Sequence, residues 1–186
     1  TQISDRITDS ANGVNQSESF IVSKSVGKWV LVVTILGSSM AFIDSTAMNV
    51  VVPVLQIELN ATIPQVQWIM EAYALFTSSL ILLGGALGDK FGRKRIFALG
   101  VILFTIASMW CGLSTSTSQL IVARAFQGVG AALLIPGSLA IVTVSFSEKD
   151  RGRAIGTWSA FTAVMTALGP ILGGWLAENL SWRFVF

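Results

Sequence analysis

The stretch Gly84–Gly100, GGALGDKFGRKRIFALG, packs one acid and four bases into the seven residues Asp89 to Arg95, and long apolar runs flank it on both sides. Composition narrows what such a cluster is for. Of 186 residues, 53% are hydrophobic and only 12% charged, about half the charged fraction of an ordinary soluble domain. The mean hydropathy is +0.71. Cys111 is the one cysteine, so there is neither an internal disulfide nor a metal site built on Cys pairs. The chain has no histidine, which excludes His-based triads and His-ligated zinc, and its formal charge of +2 is too small to suggest nucleic acid. These features describe a membrane protein.

The spans are read from where charge is missing. Trp29 to Ile57 carries only Asp44, while Ala72 to Gly88, Ile96 to Ala123, Ala125 to Ser147 and Ala154 to Ala177 carry none. A helix needs about 20 apolar residues to cross the hydrocarbon core. The expected fold is therefore an all-α integral membrane bundle, with helices at 29–54, 66–88, 95–114, 118–145 and 152–178. Barrel strands are excluded because the runs are long and do not alternate. The closing SWRFVF has the look of the first turn of a sixth helix. Residues 1–27 are polar and rich in Ser and Asn, and hold no apolar core of signal-peptide type. They are expected to form a disordered tail ahead of a bundle at 28–186. The first residue is Thr, so a chain trimmed at both ends is expected.

Lys and Arg set the orientation. Arg6, Lys24 and Lys28, then Lys90, Arg93, Lys94 and Arg95, then Lys149, Arg151 and Arg153 fall on one side, against Arg183 on the other. That asymmetry predicts a cytoplasmic N-terminus in the cell membrane. The cluster at 89–95 is then an anchor at the cytoplasmic face, in a loop joining two spans. A nucleic-acid role is weak, since the cluster is short and lacks interleaved aromatics.

Anchoring accounts for the bases but not for Gly85, Gly88 and Gly92, which permit close backbone approach and a sharp turn. It also leaves Asp89 to cap or face the positive end of a neighbouring helix. The segment GALGDKFGRK (Gly85, Asp89, Gly92, Arg93 and Lys94 at the marked positions) resembles the major facilitator signature G-x-L-x-D-x-x-G-R-[KR] between helices 2 and 3. RAFQGVGAA, with Arg124, Gln127, Gly128 and Gly130, is similar to the helix 4 signature R-x-x-Q-G-x-G-x-A. GPILGG, with Gly169, Pro170, Gly173 and Gly174, resembles the helix 5 signature associated with antiporters. IDSTAMNVVVP, Ile43 to Pro53, and WRFVF, Trp182 to Phe186, are similar to segments of the fourteen-helix drug/proton antiporter branch. The resemblance implies part of an N-terminal six-helix bundle, five helices complete, whose C-terminal partner half is missing.

Charges inside spans carry the mechanistic argument. Each costs about 2.5–3.5 kcal/mol at a helix centre on insertion scales, so each is a functional candidate. Asp44 lies deepest, near the midplane. Glu71 and Arg124 lie in the outer half, where Glu71 is close enough to the interface to snorkel and Arg124 is placed to pair with a carboxylate, structurally or functionally. Burial opposes a carboxylate's charge and a nearby Arg favours it, and a group balanced between the two can load and release a proton. Asp44, Arg124 and Glu71 are thus the candidates for proton and substrate coupling. Thr46 and Asn49 share the helix of Asp44, but the five-residue spacing turns Asn49 off its face.

On helix 5, Gly156, Ala160, Ala163, Ala167, Pro170, Gly174 and Ala177 recur at intervals of four and three. This stripe suits a close helix contact, and the family resemblance places that contact against the missing half. Trp68 and Trp182 read as interface anchors, Cys111 as a small core residue, and Pro136 and Pro170 as kink positions. No phosphate-binding loop, nucleophile–base pair or metal cluster stands out, so neither a cofactor nor an enzyme is expected. The expected function is export of small, lipophilic compounds in exchange for protons, with the bilayer, the substrate and protons as partners. Uptake symport on the same fold, and a truncated bundle with only an assembly or regulatory role, are the alternatives.

Overall fold

Each charge-free run becomes one long helix. The computed structural model describes residues 24–186, which form α1 (Lys24–Glu58), α2 (Ile63–Phe91), α3 (Arg93–Gly112), α4 (Thr117–Ser145), α5 (Glu148–Asn179) and a final 3₁₀-helix, Trp182–Val185. All five long helices have the length and composition to cross a membrane, and the described residues contain no strand. Of the expected tail, residues 1–23 lie outside the described residues, whereas 24–27 already belong to the first turn of α1. The stretch expected to open a sixth helix is the 3₁₀-helix.

The helices overrun the hydropathy boundaries because charge marks the edge of the apolar layer, not the end of a helix. The first turn of α5 carries Glu148 and Asp150, which its positive dipole end favours. The expected loop at 89–95 is corrected most. Asp89 and Lys90 lie in the last turn of α2, Arg93 to Arg95 in the first turn of α3, and only Gly92 between them is non-helical. Gly92 has φ 100°, a conformation open to glycine and strained for other residues. Other ends use side chains. The Thr62 amide donates to Gln65 Oε1 at 2.9 Å, and Ser116 Oγ accepts from the Gln119 amide at 3.3 Å, satisfying donors left open at helix starts.

Helix α4 is the central element, packed along α2 and α3 and touching α1, which itself lies along α5. Small residues bring these backbones together. A Cβ on Gly128 would lie 2.6 Å from the Tyr73 carbonyl oxygen of α2, and one on Gly130 would lie 2.6 Å from the Phe104 amide nitrogen of α3. Two glycines two residues apart thus admit two different neighbours. On α5, Gly169 and Gly173 sit against Thr46 and Ala47 of α1, where the Thr46 hydroxyl donates to the Thr166 carbonyl at 3.0 Å.

The expected stripe on α5 runs along a different face. Gly156, Ala160, Ala163 and Ala167 are exposed and Pro170, Gly174 and Ala177 half-buried, while Ala154, Thr162, Gly169 and Gly173 are buried. The bundle's own contact therefore leaves the stripe largely open. Trp182 is also not an interface anchor. It is fully buried beside Met48, Val51, Leu55, Cys111 and Leu120, and its Nε1 donates to Glu58 Oε2 at 2.8 Å. Trp68 is 52% exposed. Cys111 is buried in the same cluster as Trp182.

Two apolar clusters divide the interior. One includes Met48, Ile69 and Ala123, the other Ala41, Tyr73 and Ala131. Asp44 falls between them along α1, and Arg124 and Gln127 fall between them along α4.

Candidate functional site

Asp44 and Arg124, eighty residues apart in sequence, meet between these clusters. Arg124 Nη1 lies 2.6 Å from Asp44 Oδ2, with side-chain exposures of only 2% and 5%. Gln127, one turn along α4 from Arg124, holds both partners. Its carbonyl accepts from Arg124 Nη1 at 2.7 Å, and its amide donates to Asp44 Oδ1 at 2.9 Å. The same amide reaches Ser108 Oγ on α3 at 3.2 Å, and the Cys111 thiol approaches Gln127 Oε1 at 3.6 Å.

Arg124 is held on its other sides by α2. Its Nε donates to the Ile69 carbonyl at 3.3 Å, and the guanidinium lies 4.3 Å from the centre of the Tyr73 ring, within cation–π range. The Tyr73 hydroxyl donates to the Ala41 carbonyl on α1 at 3.3 Å. Desolvating two charges costs more than their attraction returns unless further hydrogen bonds complete the site. Here α2 and α4 supply them, through the Ile69 carbonyl and the Gln127 amide. The chemical consequence is a carboxylate whose ionised form is matched by a donor on each oxygen, and an arginine whose alternatives are a carbonyl, an amide oxygen and an aromatic face.

Glu71 stands outside this network. It is exposed and accepts from Gln67 Nε2 at 2.9 Å. It borders a cleft of about 260 Å³ that Arg124 also lines. The structure thus joins two of the three intramembrane charges and separates the third. Asn49 is exposed and bonds only within its own helix.

At the basic end, Asp89 pairs with Arg93 at 2.9 Å, and Arg93 Nη1 also donates to the Ala140 carbonyl at 3.3 Å. That contact ties the α2–α3 corner to α4. Gly85 is half-buried and Lys94 is exposed. Three bases in the first turn of α3 oppose its dipole, and the Asp89 carboxylate offsets part of that repulsion.

Sequence reasoning missed Tyr73 and Ser108 as parts of the site. Tyr73 is the only tyrosine in the chain, but an aromatic in an apolar run carries no signal of which charge it will face. Ser108 has a lone hydroxyl and no motif around it.

The comparisons with known proteins show the family and the fold. The model of the Major Facilitator Superfamily matches residues 34–186. The methylenomycin A resistance protein of Bacillus subtilis (strain 168) is 39% identical over 165 residues, 88% of this chain and 35% of its own length. The puromycin resistance protein pur8 of Streptomyces alboniger is 40% identical over 157 residues, 84% of this chain and 31% of its own. The riboflavin transporter RibZ of Clostridioides difficile (strain 630) is 36% identical over 160 residues, 86% of this chain and 35% of its own. Among solved structures, a bacterial homolog to the human lysosomal transporter Spinster, inward-facing and occupied, aligns with a TM-score of 0.74 and 28% identity. That alignment covers 87% of this chain and 35% of the other. The chain spans about a third of the length of the curated relatives it matches. With the family model matching residues 34–186 and five helices long and apolar enough to cross a membrane, the chain belongs to the Major Facilitator Superfamily.

Proposed function

We propose that residues 28–186 form most of the N-terminal bundle of a proton-coupled antiporter that exports small, lipophilic compounds across the cell membrane. It acts as a transporter, not an enzyme, and needs a second bundle to act. The observation that carries this reading is the buried Asp44–Arg124 pair clamped by Gln127. Relatives named for resistance to methylenomycin A and puromycin support the export direction.

The geometry gives protonation a structural consequence. With Asp44 ionised, the pair is neutral and each charge has its partner. A proton added to an Asp44 oxygen leaves the guanidinium without its counter-ion in a dry interior, which is costly. Arg124 then leans on the Ile69 carbonyl, Gln127 Oε1 and the Tyr73 ring, on α2 and α4. The hold between α1 and α4 weakens, so the proton and the helix arrangement are linked. Alternating access in related transporter folds comes from bundles rocking about a site at the midplane. A pair whose strength depends on one proton biases that motion.

Asp44→Asn keeps the side-chain shape and removes the titrating group. In everted vesicles carrying the intact transporter, this variant is expected to insert normally and to lose proton-driven export of a compound to which the wild type confers resistance. Export at the wild-type rate under the same pH gradient overturns the assignment.

The basic end, with Lys90, Arg93 to Arg95 and Lys149, is assigned to the cytoplasm. In a Cys111→Ser background, Ala61→Cys between α1 and α2 is expected to react with an impermeant thiol reagent added to whole cells. Lys149→Cys is expected to react only after the membrane is opened. Reaction of both from one side contradicts the topology.

The riboflavin transporter among the relatives supports a second reading, in which the same bundle moves a metabolite. Competition by riboflavin for transport of the resisted compound separates the two.

A further inference from the structure

The groups around the Gln127 side-chain amide all fix it in one sense. Arg124 Nη1 can only donate, and it faces Gln127 Oε1 at 2.7 Å. Ionised Asp44 can only accept, and Gln127 Nε2 donates to its Oδ1 at 2.9 Å. A serine hydroxyl can serve either end of an amide. The single proton of Ser108 goes to the Phe186 carbonyl at 2.8 Å, so its oxygen offers Gln127 Nε2 a lone pair at 3.2 Å. The chain of donors therefore ends on a backbone carbonyl, which cannot reverse its role.

The carbonyl at the end of that chain is itself held. The Phe186 ring packs edge-on against the fully buried Trp182, whose Nε1 donates to Glu58 on α1. Arg183 Nη1 donates to the Gly112 and Ser114 carbonyls at the end of α3. Ser108 is buried, so little solvent competes for its hydroxyl. A proton placed on Asp44 meets a donor at either oxygen, Arg124 at Oδ2 and Gln127 Nε2 at Oδ1. Turning the Gln127 amide over would give that proton an acceptor. The turned Oε1 would then face the lone pairs of Ser108, or cost Phe186 its hydrogen bond.

We propose that Ser108 is a positioning residue that locks the Gln127 amide in the sense that fits ionised Asp44. The proposal rests on the transport function above. With the lock in place, a proton is accommodated only when Asp44 leaves the clamp, so proton uptake demands that α1 part from α4. Without it, Gln127 turns and accepts the proton where Asp44 stands. The titratable or charged groups around Asp44 are Arg124 on α4 and Tyr73 on α2. Cys111 on α3 lies against Gln127, and Glu71 borders the cleft that Arg124 also lines. Helix α5 carries no charge from Ala154 to Ala177.

The test follows the carboxylic C=O stretch of protonated Asp44 by infrared spectroscopy, on the intact transporter in lipid, as pH is varied. Its band is the one that Asp44→Asn removes. In Ser108→Ala the band is expected to persist to a pH about one unit higher than in the wild type, as loss of one hydrogen bond opposing protonation implies. Ser108→Thr keeps the hydroxyl and is expected to titrate at the wild-type midpoint. Thr105→Ala removes an exposed hydroxyl one turn away on α3, which donates to the Val101 carbonyl, and is expected to leave the midpoint unchanged. An unshifted or lowered midpoint in Ser108→Ala overturns the proposal. So does a shift of the same size in Ser108→Thr or Thr105→Ala, since the hydroxyl of Ser108 would then play no particular part. A wild type with no titrating band that Asp44→Asn removes overturns the proton role of Asp44, and the lock with it. A band that titrates but ignores Ser108→Ala overturns the lock alone, so the two failures are told apart.

Discussion

Arg124→Leu is expected to destabilise the bundle by about 3–5 kcal/mol, the cost of leaving a buried charge without its partner. The leucine removes the contacts to Asp44, Gln127, the Ile69 carbonyl and the Tyr73 ring together. What remains is an Asp44 carboxylate 5% exposed, with only the Gln127 amide donating to it. Combining Arg124→Leu with Asp44→Asn is expected to restore much of the loss, because the neutral amide no longer needs a counter-ion while Gln127 still has a partner. The double variant stays inactive in proton-driven export. Folded fraction against denaturant, for the two single variants and the double, measures the coupling. A double variant as unstable as the sum of the singles contradicts an ion pair that matters as a pair.

How much of this was visible beforehand depends on what hydropathy reports. Five spans were legible because a membrane penalises charge, and their number and order follow from that penalty alone. Asp44 and Arg124 stood out for the same reason. That they touch each other and not Glu71 was not legible, since depth along separate helices says nothing about which faces meet. Trp182 shows the same limit from the other side. An indole near the end of a span satisfies the criterion for an interface anchor, yet Glu58 gives its N–H a partner and the core takes its ring. The residues at 89–95 looked like a loop because they are charged, although a helix tolerates charge readily once it leaves the apolar layer. One glycine with φ 100° is enough to turn the chain there. The stripe on α5 was expected to pack against another helix, but this bundle's own packing uses Gly169 and Gly173 against α1 and leaves the stripe largely open.

The second large effect follows from that open stripe. Residues 1–186 expressed alone are expected to move no substrate and to dissipate no pH gradient in proteoliposomes. Exposed Gly156, Ala160, Ala163 and Ala167 form a face made for close approach, and no described element covers it. The chain also spans about a third of the length of the relatives it matches. A single bundle has nothing to rock against, so Asp44 cannot be presented to the two sides in turn. Supplying the complementary bundle as a second polypeptide is expected to restore transport. Substrate-dependent proton flux from residues 1–186 alone would instead favour a working dimer of half-size units.

The central claim is that Asp44 links the proton to transport without being needed for movement of substrate itself. The direct measurement compares substrate counterflow and substrate-driven proton movement in proteoliposomes of the intact transporter, wild type against Asp44→Asn. The account predicts that the wild type shows both, and that Asp44→Asn retains counterflow while its substrate gradient moves no protons. Substrate-driven proton movement in Asp44→Asn at the wild-type ratio would contradict it.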